Sequence, residues 1–336
     1  MPSTILFMFS DLSRPAIAMC SAGIAVFLIG AWAAKNDIAK ARGLDKTVAL
    51  TNLCFAIPLA VFGAEHLSMP RALMNLVPQY MPWRLFWAYF VGCALIAASL
   101  SIATKIAVRW SGLLFGLMMF LFVAMIHFPG ALATANVLHI FRSQATLQER
   151  IPWTIVFREM SFGGGGWLLA GSVLNGWRGP VKTTLLTVGR ILVAIAAIIF
   201  GIEHFLHPLG LPGVPLVKEM PAWVPARALI DYVTGAALLV AGACFLLNRK
   251  TRLAATWVGG WILLLVLVIY GPVLILALSD PATPVQVEGI NYFADTLLFA
   301  AAILAIACTS YRSPPQHLNE TWNSDARQTL EVSNER

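Results

Sequence analysis

Nine apolar blocks, each about 18 to 25 residues long, fill most of the chain, at roughly 15–34, 48–66, 84–104, 107–128, 153–176, 187–206, 224–247, 253–278 and 289–311. A block of that length spans the ~30 Å hydrocarbon layer of a bilayer as one helix. Membrane barrels read as short alternating segments instead, and a helix satisfies its own backbone polar groups without water. The sequence therefore predicts an all-α, polytopic membrane protein of about nine transmembrane helices. Hydrophobic residues make up 59% of the chain and charged ones 12%, far more apolar surface than one soluble core uses. Pro58 and Pro272 fall inside blocks and are expected to kink rather than end their helices.

The charges between blocks orient the chain. Ala31-Trp32-Ala33 after the first block resembles a signal-peptide cleavage site, but only Arg14 precedes the block while Lys35, Lys40, Arg42 and Lys46 follow it. The positive-inside rule then leaves the amino terminus outside and puts the carboxyl terminus in the cytoplasm of a multi-pass cell (inner) membrane protein. Lys105, Arg109, Arg178, Lys182, Arg249, Lys250 and Arg252 fall on the inside, and the loop at 279–288 has no Lys or Arg. Arg71, Arg142, Arg150 and Lys218 stand against this topology. The net charge of +7 fits this bias and attraction to membrane lipid, and nothing points to nucleic acid. All five cysteines lie in apolar blocks without a C-x-x-C, which argues for small packing residues rather than a thiol relay.

An internal echo organises the blocks. FGAEHLSMP at 62–70 returns as FGIEHFLHP at 200–208. Each is followed by a Pro-rich connection ending in Met81-Pro82-Trp83 or Met220-Pro221-Ala222-Trp223, and then by a helix with Gly92 or Gly235. A basic turn with Arg109 or Arg252 comes next, then a helix ending near Ile126-His127-Phe128-Pro129 or Ile269-Tyr270-Gly271-Pro272. The last helix carries Phe157-Arg158-Glu159 or Phe293-Ala294-Asp295. Four is an even number, so both units enter from the same side as parallel repeats. The organisation is an extra amino-terminal helix and basic loop (1–46), a first four-helix unit (47–178), a second (179–312) and a polar cytoplasmic tail (313–336) read as disordered.

Gly189-Arg190-Ile191-Leu192 running into FGIEHF, and Leu229-Ile230-Asp231-Tyr232 ahead of GAALLVAGACFLLNRKTRLAA, resemble the DoxX-like superfamily of four-helix membrane proteins. The resemblance covers 187–311 and, as a degenerate copy, 48–176, where Ala88 stands in place of the acid at Asp231. It implies the fold, and relatives that include membrane subunits of quinone-linked oxidoreductases, redox or maturation components, and assembly factors. A fold alone does not choose among these.

The site residues follow from depth. Ionisable side chains within apolar helices are costly unless paired or facing a cavity. Glu65, His66, His127, Trp153, Arg158 and Glu159 fall at similar outward depth in the first unit. Glu203, His204, His207, Asp231, Tyr270, Asn291 and Asp295 do so in the second. One outward polar pocket per unit is expected, with Glu203, His204 and Asp295 sharing one of them. Glu65, His66, Glu159, Glu203, His204 and Asp295 are the proton-handling candidates. Histidine with a carboxylate suits a quinone-facing site, where imidazole bonds a carbonyl and the acid exchanges the proton of reduction. His127, Tyr270, Asp231, His207 and Arg158 would hold the ligand, with Trp153 and Tyr292 as its apolar wall. Neighbours such as Glu65 and His66 diverge by ~100° around a helix, so one of each pair faces elsewhere. A haem reading would pair His66 with His127, and a metal reading would use Glu65, His127 and Glu159 or His204, His207 and Asp295. Neither has a specific spacing. A soluble or membrane redox partner subunit is implied if the protein is an oxidoreductase component. The other class is a non-catalytic scaffold, assembly factor or lipid-binding protein whose acids fix shape. Gly163–Gly166 lack the Lys and Ser/Thr of a phosphate loop and are read as a packing run.

Overall fold

The computed structural model describes residues 12–173 and 179–309; the tail read at 313–336 lies outside them. Within the described residues each of the nine apolar blocks is mostly helical. The elements are α1 (Arg14–Lys40), a short α2 (Asp45–Ala49), α3 (Thr51–Ser68), a short α4 (Pro70–Leu73), α5 (Arg84–Thr104), α6 (Val108–Phe122), α7 (Phe128–Thr134), α8 (Leu147–Ser172), α9 (Pro180–Leu206), α10 (Arg227–Leu246), α11 (Thr251–Leu265), α12 (Gly271–Leu278) and α13 (Thr283–Thr309). Among the described residues there is no strand, only an isolated bridge between Gly210 and Glu219.

Among the described residues seven helices are long and apolar enough to cross a membrane: α1, α5, α6 continued through α7, α9, α10, α11 continued through α12, and α13. The other two blocks, α3 and α8, carry too many polar groups to meet that criterion. Asn52, Glu65 and His66 lie on α3, and Glu149, Arg150, Arg158 and Glu159 on α8. Their surroundings explain how those groups are tolerated. α3 is packed by α1, α5 and α13, and α8 by α6, α9 and α13, so both helices are shielded by the more apolar ones. The outer helices carry exposed apolar side chains such as Ile24, Phe90, Leu114 and Leu267.

The echo in sequence is also an echo in backbone. Trp83 and Ala226, Lys105 and Asn248, and Ala107 and Lys250 all adopt left-handed conformations, and each pair is separated by the same number of residues. The same interval relates two π-helical turns, Val123–His127 and Val266–Tyr270. Their positions have a physical reason. Pro129 and Pro272 follow, each would clash with the carbonyl four residues back, and the widened turn containing that carbonyl relieves the clash. The helical path bends and continues, as it does through Pro58 within α3. Matching glycines set matching crossings. A Cβ on Gly63 would stand 3.0 Å from the Gly92 carbonyl oxygen, and one on Gly201 2.9 Å from that of Gly235.

The two expected units interlock rather than stand side by side. α3 packs against α13 instead of α8, while α9 packs against α8 and makes only marginal contact with α13. The two fourth helices, α8 and α13, meet along the middle. The glycine run on α8 permits this, since one residue after another is approached by a different helix. A Cβ on Gly164 would lie 2.8 Å from the Gly189 carbonyl of α9, one on Gly165 2.6 Å from the Ala302 Cβ of α13, and one on Gly166 2.9 Å from the Gly112 carbonyl of α6. Between membrane helices, dispersion at such close approach takes the place of a hydrophobic driving force.

The contact predicts a contrast. Gly165→Ala should force α8 and α13 apart and destabilise the protein by about 1–3 kcal/mol. Gly130→Ala, at a position with nothing within 4 Å, should leave the melting temperature in detergent unchanged or slightly raised.

Candidate functional site

A cavity of about 680 Å³ lies within the first unit and is closed on one side by α13 of the second. Its walls are mostly apolar, from Phe62 on α3, Trp87 and Leu95 on α5, Phe115 and Met119 on α6, and Phe162 on α8. The polar lining is concentrated in Glu65, His66, His127, Arg158, Glu159, Asn291, Tyr292 and Asp295.

Arg158 organises that group. Its Nη1 donates to Asp295 Oδ2 at 2.6 Å, while Nε and Nη2 donate to Glu159 Oε1 at 3.2 and 2.7 Å. Asn291 Nδ2 donates to Glu65 Oε1 at 3.1 Å. Two carboxyl groups thus share one guanidinium, and a third, Glu65, stands beside them on Asn291 in a mostly apolar chamber. With all three ionised the group would carry net negative charge away from water, a costly state that a proton or a polar ligand relieves. His66 Nδ1 lies 2.9 Å from the Phe62 carbonyl oxygen. A carbonyl only accepts, so Nδ1 bears the proton and Nε2 is the nitrogen left with a lone pair.

The second unit uses its polar residues differently, and Glu203, His204 and Asp295 do not share a pocket. Glu203 is fully buried against α8, with Arg150 Nη1 at 3.2 Å and Thr154 Oγ1 donating at 3.0 and 3.1 Å to its two oxygens. His204 Nδ1 lies 3.1 Å from Asp231 Oδ1, and its Nε2 accepts from the Gly213 N–H at 3.0 Å. Asp295 points the other way, into the first unit's cavity. The cause is the interlocked packing: the Glu of each Glu-His pair faces the fourth helix of the opposite unit, Glu203 on α8 and Glu65 on α13. His207 closes α9, its backbone N–H bonded to the Glu203 carbonyl at 2.8 Å.

Where the second pocket was expected, the chain has put its own loop. Residues 209–220 fold back as a narrow hairpin, with Leu211 N–H donating to the Lys218 carbonyl at 3.1 Å and Met220 N–H to that of Leu209 at 2.8 Å. Its tip enters the bundle. Leu211 and Val214 are fully buried, and the Tyr270 hydroxyl donates to the Pro212 carbonyl at 2.9 Å. Gly213 is required there. Its φ is +113°, and a Cβ would meet Thr296 Cγ2 at 3.2 Å. The corresponding first-unit connection, 69–83, starts from the same tether: Arg84 Nε bonds the Val77 carbonyl at 2.9 Å as Arg227 Nη1 bonds that of Met220 at 3.0 Å. That connection does not fill its bundle. Leu73, Leu76 and Val77 line the cavity while Tyr80 and Trp83 are exposed.

The aromatic candidates divide. Tyr292 lines the cavity, and its hydroxyl accepts from the Val217 and Lys218 N–H groups at 3.1 and 3.0 Å, pinning the hairpin base to α13. Trp153 is outside the cavity lining; its Nε1 donates to the Ala135 carbonyl at 2.9 Å and its ring meets Phe128 edge-on. Tyr270 and His204 hold the hairpin, and Asp231 stands behind His204. Sequence reading missed Arg150 and Thr154 as partners of Glu203, although their spacing of four puts them on one helical face. It also missed the hairpin, whose signal was there: LGLPGVPL is apolar for a stretch between helices.

The Glu203 pair gives a test of stability. Arg150→Met strands a buried carboxylate and should cost about 3–5 kcal/mol. Adding Glu203→Gln should recover most of the lost melting temperature, since the uncompensated charge is then gone.

No family model, curated protein or solved structure matches the chain.

Proposed function

We propose that the chain is a DoxX-like integral membrane protein that binds a quinone in the cavity of its first unit, as a membrane component of a redox system whose electrons come from a partner subunit. The observation that carries this reading is the cavity itself: an apolar chamber of about 680 Å³ with carboxyl groups, a guanidinium and two histidines gathered in its lining. Apolar walls suit a ring and tail. The surplus of carboxyl groups over Arg158 supplies a group able to take or give the proton that accompanies each electron. Asp295 is best suited to it, because Arg158 keeps Glu159 as a partner when Asp295 changes protonation.

On this reading α3 and α8 cross the membrane together with the seven apolar helices, giving nine crossings with the amino terminus outside and the cavity open outward. The basic residues around Arg42, Lys46, Lys250 and Arg252 then share the inner face. A second reading, a scaffold or assembly factor that holds an apolar ligand without chemistry, draws support from the complete pairing of Arg158, which is how a purely structural charge is kept.

Two experiments separate these. Reporter fusions at residue 283 should report an outside location; a cytoplasmic signal there would overturn the nine-helix topology. Asp295→Asn should keep the fold and quinone binding while lowering quinone-linked turnover by about 10²-fold or more. Wild-type turnover in the amide variant would move the assignment to the scaffold reading.

A further inference from the structure

The hairpin in the second unit stands where the first unit has its open cavity, and it is held by residues with counterparts in that cavity. His204 corresponds to His66 within the repeated Glu-His pair, and Tyr270 to His127 at the end of the matching π-helical turn. The surroundings correspond as well. A Cβ on Gly235 would meet the His204 Cβ at 3.0 Å, and one on Gly92 the His66 Cβ at 2.9 Å. In the second unit this pair of side chains grips one peptide group from both sides: Gly213 N–H donates to His204 Nε2, and the Pro212 carbonyl accepts from the Tyr270 hydroxyl.

The two histidines are also set in the same protonation form by different partners. Nδ1 of His204 faces Asp231 and Nδ1 of His66 faces the Phe62 carbonyl, so each leaves Nε2 as the acceptor. In the second unit that acceptor is satisfied by a backbone N–H. In the first, His66 and His127 line the open cavity instead.

We infer that the first-unit cavity selects a ligand head group that carries a hydrogen-bond donor, which His66 Nε2 accepts, beside an oxygen engaged by His127. This rests on the quinone reading and sharpens it: the hydroxyl-bearing hydroquinone is the form held, in preference to the acceptor-only quinone. The hairpin supplies from within the chain the donor and acceptor that the ligand supplies from outside.

The test is an anaerobic calorimetric titration of the purified full-length protein with three probes: a short-tailed benzoquinone, its hydroquinone, and the di-O-methyl ether of that hydroquinone. The hydroquinone should bind about tenfold more tightly than the ether, the worth of one hydrogen bond of about 1.4 kcal/mol, and more tightly than the quinone. His66→Phe, confirmed folded by thermal melt, should abolish that preference while leaving the ether's affinity unchanged. Equal binding of hydroquinone and ether by the wild-type protein would overturn the donor inference and leave the quinone site standing. A preference that survives in folded His66→Phe would overturn the role of His66. If none of the three binds, the quinone reading falls and the inference with it.

Discussion

A charge inside a membrane-spanning bundle must find its opposite within the bundle, and in this protein it does so on α8. Arg150 and Arg158 sit two helical turns apart on that first-unit helix and answer two carboxylates of the second unit, Glu203 on α9 and Asp295 on α13. The ends of the interlock are therefore electrostatic, and its middle is a glycine contact. Neither part works without the other. Charges are held at bonding distance only because Gly163–Gly166 bring three neighbouring helices to within a side chain's reach of the α8 backbone.

That arrangement divides labour between two copies of one plan. Turn geometry and π-helical widening recur at a constant interval and the glycine crossings recur with them, so the backbone of each unit makes the same kind of chamber. Their connections differ. An apolar hairpin occupies one chamber and uses His204, backed by Asp231, and Tyr270 as its clamp, whereas the other has Ala88 at the acid's place and stays open. Asp231 thus belongs to the filled chamber, and the open chamber lies in the copy that has Ala88 at the matching place.

Depth was legible in the sequence, and direction was not. Block length marked where the long helices run, and depth along them placed Glu65, His66, His127, Arg158, Glu159, Asn291 and Asp295 at one level, where the structure gathers them around a single cavity. Glu203 and His204 were equally well placed in depth and still went elsewhere. Which way a residue faces depends on which helix is its neighbour, and sequence order suggested that each unit would close on itself. The exchange of partners between α3, α8, α9 and α13 depends on close backbone approach along α8, a property of three-dimensional packing that the glycine run announced without naming its partners. Trp153 illustrates the same limit: at the right level, it ties down the 135 loop rather than facing a ligand.

The closeness of α8 and α13 also restricts how the protein can move. Helices that slide past one another do so across a layer of side chains that can change rotamer, and around Gly165 and Ala302 that layer has been reduced to a single methyl group. The two central helices therefore travel as one rigid spine. Movement around the chamber is then left to its rim, the 69–83 connection and the outer helices α5 and α6, while the α8–α13 contact keeps its shape.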